Sequence, residues 1–149
     1  MWSNHLTIYG MNAKLNIMWE QGIEIDEIPV LKDPMLIAGF EGWGNALNVS
    51  DAMAAFLIRK LDAKCFARVN PDLFYRYDKG RPFVDIKDGV LKEISTPGGA
   101  FYVARALSAG RDIIILKSDE PHLRWGHFVD NLFSICFHAL NISSKSKLW

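Results

Sequence analysis

Apolar positions fall into runs of different period along the chain, and each period predicts an element. Met35 to Phe40 is a continuous apolar run bounded by Pro34 and by glycines, which predicts a central strand covered on both faces. Gly39, Gly42 and Gly44 allow a sharp turn at its end, and the apolar stretch beyond predicts a helix over Ala46 to Leu61 capped by Asn45 or Asn48. That helix carries only a narrow polar stripe, Asn48, Asp51, Arg59 and Asp62. A surface helix has a polar half, so this one is expected to be wedged between layers or against a partner. Upstream, Ile23, Ile25, Ile28 and Val30 are separated by acidic residues, which predicts a half-exposed strand over Ile23 to Leu31 that Pro29 places at an edge or ends early.

Cys65 to Val69 predicts a short strand, and Asn70-Pro71-Asp72 a turn into the aromatic patch Leu73, Phe74, Tyr75 and Tyr77, which suits core packing or an interface. Asp88-Gly89 between two β-rich runs is the signal of a two-residue hairpin turn over Arg81 to Ile94. Counting outward from it sets Ile86 against Leu91, Phe83 against Ile94, and Asp85 against Lys92 as an opposite-charge pair. Pro82 falls at the first strand position, where a missing N–H matters least. After the turn Pro97-Gly98-Gly99, Ala100 to Leu107 reads as a strand on its aromatic group, closed by Gly110. Ile113 to Leu116 predicts a second central strand that delivers Ser118, Asp119 and Glu120 to its carboxyl end. Pro121 then suits the first turn of a helix, with the two carboxylates near its positive end. Trp125, Phe128, Val129, Leu132, Cys136 and Leu140 recur at helical spacing, widened by Phe133 and Phe137, against His127, Asp130, Asn131, Ser134 and His138.

These elements make one α/β domain over residues 23–140, preceded by an extension over residues 1–22 without clear period and followed by a polar tail over residues 141–149. A chain of 149 residues, half of them apolar, can fill one core and not two. Seventeen basic and seventeen acidic residues cancel without a run of like charge, so neither nucleic acid nor an anionic membrane surface has an electrostatic footprint. No apolar run approaches a membrane span. The expected setting is cytoplasmic, with protein or small-molecule partners, and Cys65 and Cys136 as reduced, buried thiols.

Little assembled chemistry is visible. Gly39-Phe-Glu-Gly-Trp-Gly is glycine-rich at a strand-to-helix junction but is neither GxGxxG nor GxxxxGK[ST], and no lysine follows to reach a phosphate. Glu41 and Glu120 could form a carboxylate pair if the two apolar strands are neighbours. The histidines lack HExxH spacing, a GxSxG elbow is absent, and no catalytic set, metal or cofactor is expected.

Leu36-Ile37-Ala38-Gly39-Phe40-Glu41-Gly42-Trp43-Gly44-Asn45, then Arg81-Pro82, then Asp119-Glu120-Pro121-His122-Leu123-Arg124-Trp125 with Phe128 resemble the proteasome assembly chaperone 2 family over about Ile28 to Leu140. The resemblance implies a three-layer α/β/α sandwich with a mixed sheet, similar to the nucleoside phosphorylase fold. It also implies self-association, a non-catalytic role in protein assembly, and contacts through Glu41, Gly42, Trp43, Gly44, Asn45, Arg81, Pro82, Glu120, Pro121, Arg124 and Trp125. Prokaryotic relatives also carry ATP-grasp or carboxylate–amine ligase-like labels, so the alternative is a small-molecule or nucleotide site in the same loops. A basic residue converging on the glycine loop would favour that alternative, and Arg81 and Arg124 are the candidates. Family members continue through further strands and a helical part, so this chain is expected to be a domain incomplete at its C-terminus, with Phe133 and Phe137 partly exposed or covered by another chain. Lys147-Leu148-Trp149 departs from the hydrophobic-Tyr-any tail with which archaeal relatives dock on proteasome rings.

Overall fold

In chain order the elements are β1 (Ile23–Ile25), β2 (Met35–Glu41), a 3-10 turn (Ala46–Asn48), α1 (Val49–Lys60), β3 (Lys64–Val69), α2 (Pro71–Phe74), β4 (Phe83–Lys87), β5 (Val90–Ser95), β6 (Gly99–Ala104), β7 (Ile113–Asp119) and α3 (Trp125–Ser134). The computed structural model describes residues 22–42, 46–105 and 110–136. The expectations for the extension up to Gln21, for Trp43, Gly44 and Asn45, for the end of the strand at Leu107, and for Phe137, His138, Leu140 and the tail lie outside the described residues.

Five strands form one mixed sheet in the order β1-β3-β6-β7-β2, and β4 and β5 form a separate hairpin. β2 and β7 run parallel, from Met35 beside Ile113 to Glu41 beside Asp119, and the remaining pairs are antiparallel. Side chains alternate across a strand, so β7 sends Ile114, Leu116 and Ser118 to one face and Ile115 and Lys117 to the other. On the first face the buried Phe66, Phe74, Phe101 and Phe128 pack with Ile114, Leu116 and Ile135 beneath α2 and α3. The second face takes α1: a Cβ at Gly39 would stand 2.6 Å from Ser50 O and 2.7 Å from the Ala54 Cβ. Only glycine lets the helix come this close. The Asp51 carboxylate closes the same contact on Lys117 Nζ at 2.7 Å. Helices on both sides of a mixed sheet make an α/β/α sandwich.

Several expectations need correction. β2 is an edge strand, not a central one: among the described residues it pairs only with β7. An apolar run reports that both faces of a strand are covered and says nothing of its neighbours in the sheet. β7, by contrast, is central, with β6 on one side and β2 on the other. β1 stops at Ile25, well before Pro29. Asn48 stands at the α1 N-cap in the left-handed region without a side-chain cap bond, and Ser50 Oγ instead accepts from the Phe40 N–H at 3.0 Å. Asn70-Pro71-Asp72 opens a helical turn rather than a plain turn, because Asn70 Oδ1 accepts from the Asp72 N–H at 3.0 Å. Cys136 is buried, but Cys65 is only half-buried; both are free thiols.

The hairpin turn falls at Asp88-Gly89, both with positive φ, and Ile86 faces Leu91 as predicted. One residue further a bulge adds Lys92 to β5, so Asp85 faces Glu93, Val84 faces Ile94 and Phe83 faces Ser95. The expected Asp85–Lys92 pair is therefore replaced by Asp85 with Lys87 at 3.7 Å along the same strand. The last helix begins at Trp125 and not at Pro121. Its buried side is Phe128 and Asn131, continued past its end by Ile135 and Cys136, while Trp125, Val129 and Phe133 are exposed. Asn131 was expected on the outer side and Trp125 on the inner one; the buried arc is rotated from the apolar stripe toward Asn131, and α3 rests on the sheet through Phe128, whose ring meets Phe40 at 6.3 Å and Phe74 at 5.3 Å.

Candidate functional site

The parallel pair β2–β7 ends in two loops, and a cavity of about 600 Å³ opens there, between these strand ends and the base of the hairpin. Loops at the carboxyl ends of parallel strands are where α/β sheets commonly place ligands. Register brings the strand ends level: Glu41 lies beside Asp119, and the Glu120 N–H donates to Glu41 O at 2.8 Å. The Glu120 carboxyl rests on the backbone of Gly42, in the space a Cβ would fill. Glu41, Asp119 and Glu120 thus give the floor its acidic character.

The opposite wall is held by the turn after α2. Lys79 and Gly80 N–H groups both donate to Arg76 O, at 3.0 and 2.9 Å, and the Arg76 guanidinium grips Asp78 through Nε at 3.0 Å and Nη2 at 2.6 Å. This turn presents Lys79, Gly80 and Arg81 to the cavity. The segment from Pro121 to Arg124 is tied to the end of α2, because Phe74 O accepts from the N–H groups of His122 at 2.9 Å and Leu123 at 3.0 Å. His122 Nδ1 in turn accepts from the Arg76 N–H at 3.1 Å. The third wall is Phe83, Ser95, Thr96 and Pro97 from the hairpin base, anchored where Asp119 Oδ2 accepts from the Gly98 N–H at 2.8 Å.

Behind the floor, the Tyr75 hydroxyl lies 2.9 Å from Ser118 Oγ and donates to Asp119 O at 3.1 Å. Burial pushes this phenol up to about 12, with the Asp119 charge adding to the rise and the Ser118 contact opposing it. Tyr75 is a brace for the strand end and stays neutral across the physiological range.

Of the residues singled out from sequence, the cavity gathers Glu41, Gly42, Arg81, Glu120, Pro121 and Trp125. Trp43, Gly44 and Asn45 lie outside the described residues. Pro82 and Arg124 are not in the lining; Arg124 is the residue before α3, with φ of 53°, and its Nη1 reaches Leu73 O at 3.4 Å. Lys79, Phe83, Asp119, His122 and the Ser95-Thr96-Pro97 segment join the lining. Asp119 and His122 lie within the family-like motif just past the buried strand β7, and Asp119 was expected at that strand's carboxyl end. Lys79, Ser95 and Thr96 had no signal, since a hairpin folding back on a distant strand end is a tertiary event.

Carboxylates, two cations, an imidazole, an exposed indole and Phe83 together can hold a zwitterionic or peptide-like group through charge and ring contacts. The glycine loop contributes no lysine of its own, but Arg81 lines the same cavity as Gly42. Among the described residues no cluster of three or more His, Cys, Asp or Glu side chains could hold a metal ion, and no helix is long and apolar enough to cross a membrane.

Comparison with known proteins agrees with the fold. A PAC2 family protein of solved structure from Streptomyces avermitilis is 30% identical, with a TM-score of 0.64 over 69% of this chain and 44% of its own. A proteasome-assembly chaperone homologue from Mycobacterium tuberculosis is 28% identical, with a TM-score of 0.65 over 68% of this chain and 43% of its own. A Corynebacterium glutamicum protein of unknown function, 23% identical with a TM-score of 0.69 over 80% of this chain and 46% of its own, shares the fold alone. The chain therefore spans less than half the length of these solved relatives. No curated protein matches it. The model of the PAC2 family matches residues 36–143, which takes in β2 from Leu36 onward, β7, α3 and every described residue of the cavity; the chain belongs to the PAC2 family.

Proposed function

We propose that this protein acts in protein assembly, as a cytoplasmic, non-catalytic chaperone or scaffold that receives a segment of a partner protein at the cavity beyond β2 and β7. The observation that carries the reading is the composition of the rim. Six residues of the family-like motifs, Glu41, Gly42, Arg81, Glu120, Pro121 and Trp125, converge there from three distant stretches of chain. Arg and Trp are the side chains that anchor protein interfaces, and half of the Trp125 surface is open to a partner. The resemblance of the chain to a proteasome-assembly chaperone homologue supports the same class of role. In this reading the domain runs over residues 23–140 and its motif loops, Trp43, Gly44 and Asn45 included, make the partner contact.

A second reading has an observation of its own. Lys79 and Arg81 line, together with Gly42, a cavity of about 600 Å³, a size that suits a small carboxylate or nucleotide. Calorimetric titration separates the two, with proteasome subunits in one series and ATP and nucleosides in the other, each against wild type and Trp125→Ala. The assembly reading expects heat with protein and none with nucleotide, and a weaker protein response in the variant. Saturable nucleotide binding that Arg81→Ala abolishes, with no response to any protein, selects the small-molecule reading.

A further inference from the structure

One ring nitrogen of His122 joins two segments of the cavity wall, and we propose that His122 is a positioning residue that works as a proton-sensitive latch: the neutral imidazole holds the turn over residues 76–81 in place, and protonation releases it. The latch sets the shape of the cavity and does not depend on what the cavity binds.

The turn hangs on Arg76. Its carbonyl accepts from the Lys79 and Gly80 N–H groups and its guanidinium grips Asp78, so these bonds close the turn on itself. Among the described residues, two hydrogen bonds lead out of it. The Tyr77 hydroxyl donates to Asp72 Oδ1, a few residues back along the same stretch of chain. The Arg76 N–H donates to His122 Nδ1 at 3.1 Å, across 46 positions. Only this second bond ties the turn to the segment over residues 121–124.

The imidazole is itself held from several sides. His122 N–H donates to Phe74 O at 2.9 Å, and the Tyr75 ring meets the imidazole edge-to-face at 6.0 Å. A Cβ at Gly80 would stand 3.5 Å from His122 Cε1 and 3.1 Å from the Pro97 Cβ, so Gly80 runs between the ring and the base of the hairpin. The turn, the segment over residues 121–124 and the hairpin base thus meet at this one ring, which also lines the cavity.

The inventory of protons gives the latch its direction. A backbone N–H only donates, so Nδ1 is the acceptor and the neutral ring carries its proton on Nε2. An imidazolium has an N–H at both nitrogens and no acceptor left. It would face Arg76 donor to donor, so the bond and the charge exclude each other. Imidazole is the side chain that gains its charge between about pH 8 and 5. The elements around the ring bring ionisable groups of both signs: Arg76, Asp78, Lys79 and Arg81 from the turn, Asp72 from α2, Glu41, Asp119 and Glu120 from the strand ends, Arg124 from its own segment and His127 from α3. The Tyr75 phenol is neutral, and Ser95, Thr96 and Pro97 carry no charge. The direction therefore rests on the hydrogen bond. Once it is lost, Lys79, Gly80 and Arg81 are no longer held beside Pro97, and a partner that touches them is bound at neutral pH and let go in acid.

Nuclear magnetic resonance of the full chain, with no ligand added, tests this between about pH 8 and 5. At the upper end the long-range nitrogen spectrum should show His122 as the Nε2–H tautomer. As His122 takes up its proton, protection of the Arg76 amide from hydrogen exchange should fall about fivefold or more, the weight of one hydrogen bond. The Lys79, Gly80 and Trp125 indole signals should shift with the same midpoint. His122→Asn places an oxygen acceptor near the position of Nδ1 and gains no proton, so Arg76 should stay protected across the whole range. His122→Phe keeps a ring without an acceptor; Arg76 should be unprotected throughout, with the core amides of Ile115 and Leu116 protected as in wild type. An Nδ1–H tautomer at the upper end, Arg76 protection that holds while His122 titrates, or a His122→Asn protein whose Arg76 amide does not stay protected overturns the proposal.

Discussion

β4–β5 and β6–β7 are both antiparallel ladders built from aromatic and branched residues, yet they sit in opposite environments. In β6–β7, Phe101, Ile114, Ile115 and Leu116 have essentially no exposed surface. In β4–β5 every residue is exposed, and Phe83, Val84, Ile86, Val90, Leu91 and Ile94 each show between 52% and 76% of their surface. The same β propensity serves two ends. Where helices cover the ladder it builds the core; where nothing in the described structure covers it, the ladder holds by its turn and its cross-strand pairs, a marginal arrangement in water.

Truncation is the strongest way to break this contrast. Phe101→Ala should cost about 3–5 kcal/mol, from lost transfer energy and the cavity left behind, whereas Ile86→Ala should stay within roughly 0.5 kcal/mol. Urea denaturation of both variants gives the comparison directly. Equal losses would mean that the hairpin is buried in solution.

Gly39→Ala comes next. The added Cβ meets the Ser50 carbonyl and Ala54, which belong to a helix backbone and cannot swing away, so an overpacking cost of about 1–3 kcal/mol is expected. The loop that leads from the hairpin into β6 makes no such contact: nothing lies within 4 Å of the place a Cβ would take at Gly98. Gly98→Ala should leave the denaturation midpoint close to wild type, and a midpoint as low as that of Gly39→Ala would show the two regions to be equally packed.

Alkaline pH acts on the same divide with a smaller effect. Burial raises the Tyr75 phenol from 10.0 to about 12 and the Cys136 thiol from 9.0 to about 11. Both groups are neutral when protonated, so the folded state holds their protons more tightly than the unfolded chain does. Their contribution is complete below pH 9 and is lost as pH rises through 11 and 12. Thermal melts should be flat up to about pH 9 and then fall, and Tyr75→Phe should flatten the upper part of the decline. A melt profile for Tyr75→Phe that follows wild type to pH 12 would remove Tyr75 as the cause.

How much of this was legible in sequence depends on the range of each interaction. The continuous apolar runs located β2 and β7, and the Asp-Gly pair located the hairpin turn, because those signals are carried by neighbouring residues. Strand order was not legible: nothing in Met35 to Phe40 distinguishes an edge from a centre, since its backbone partners lie far along the chain. The α3 face was misplaced for the same reason: the buried arc centres on Phe128 and Asn131 and is rotated away from Trp125, because which part of the apolar stripe meets the sheet is set by residues far along the chain. The cavity was half legible. Its acidic floor came from motif residues at two strand ends, while Lys79, Ser95 and Thr96 reach it only through the fold of the hairpin base.

The smallest expected effect concerns the one feature that sequence specified most fully. Asp88 and Gly89 both take positive φ, 53° and 72°, as the two-residue turn requires. Nothing lies within contact of a Cβ at Gly89, so Gly89→Ala is opposed by backbone strain alone, about 1–2 kcal/mol. That strain falls on a hairpin that shares little with the core. The expectation is faster hydrogen exchange at Lys87 and Val90 with an unchanged global melting temperature. A drop in that temperature comparable to Gly39→Ala would tie the hairpin to the sheet in one cooperative unit; accelerated exchange confined to β4 and β5 would instead mark it as a region that opens by itself beside the cavity whose wall it supplies.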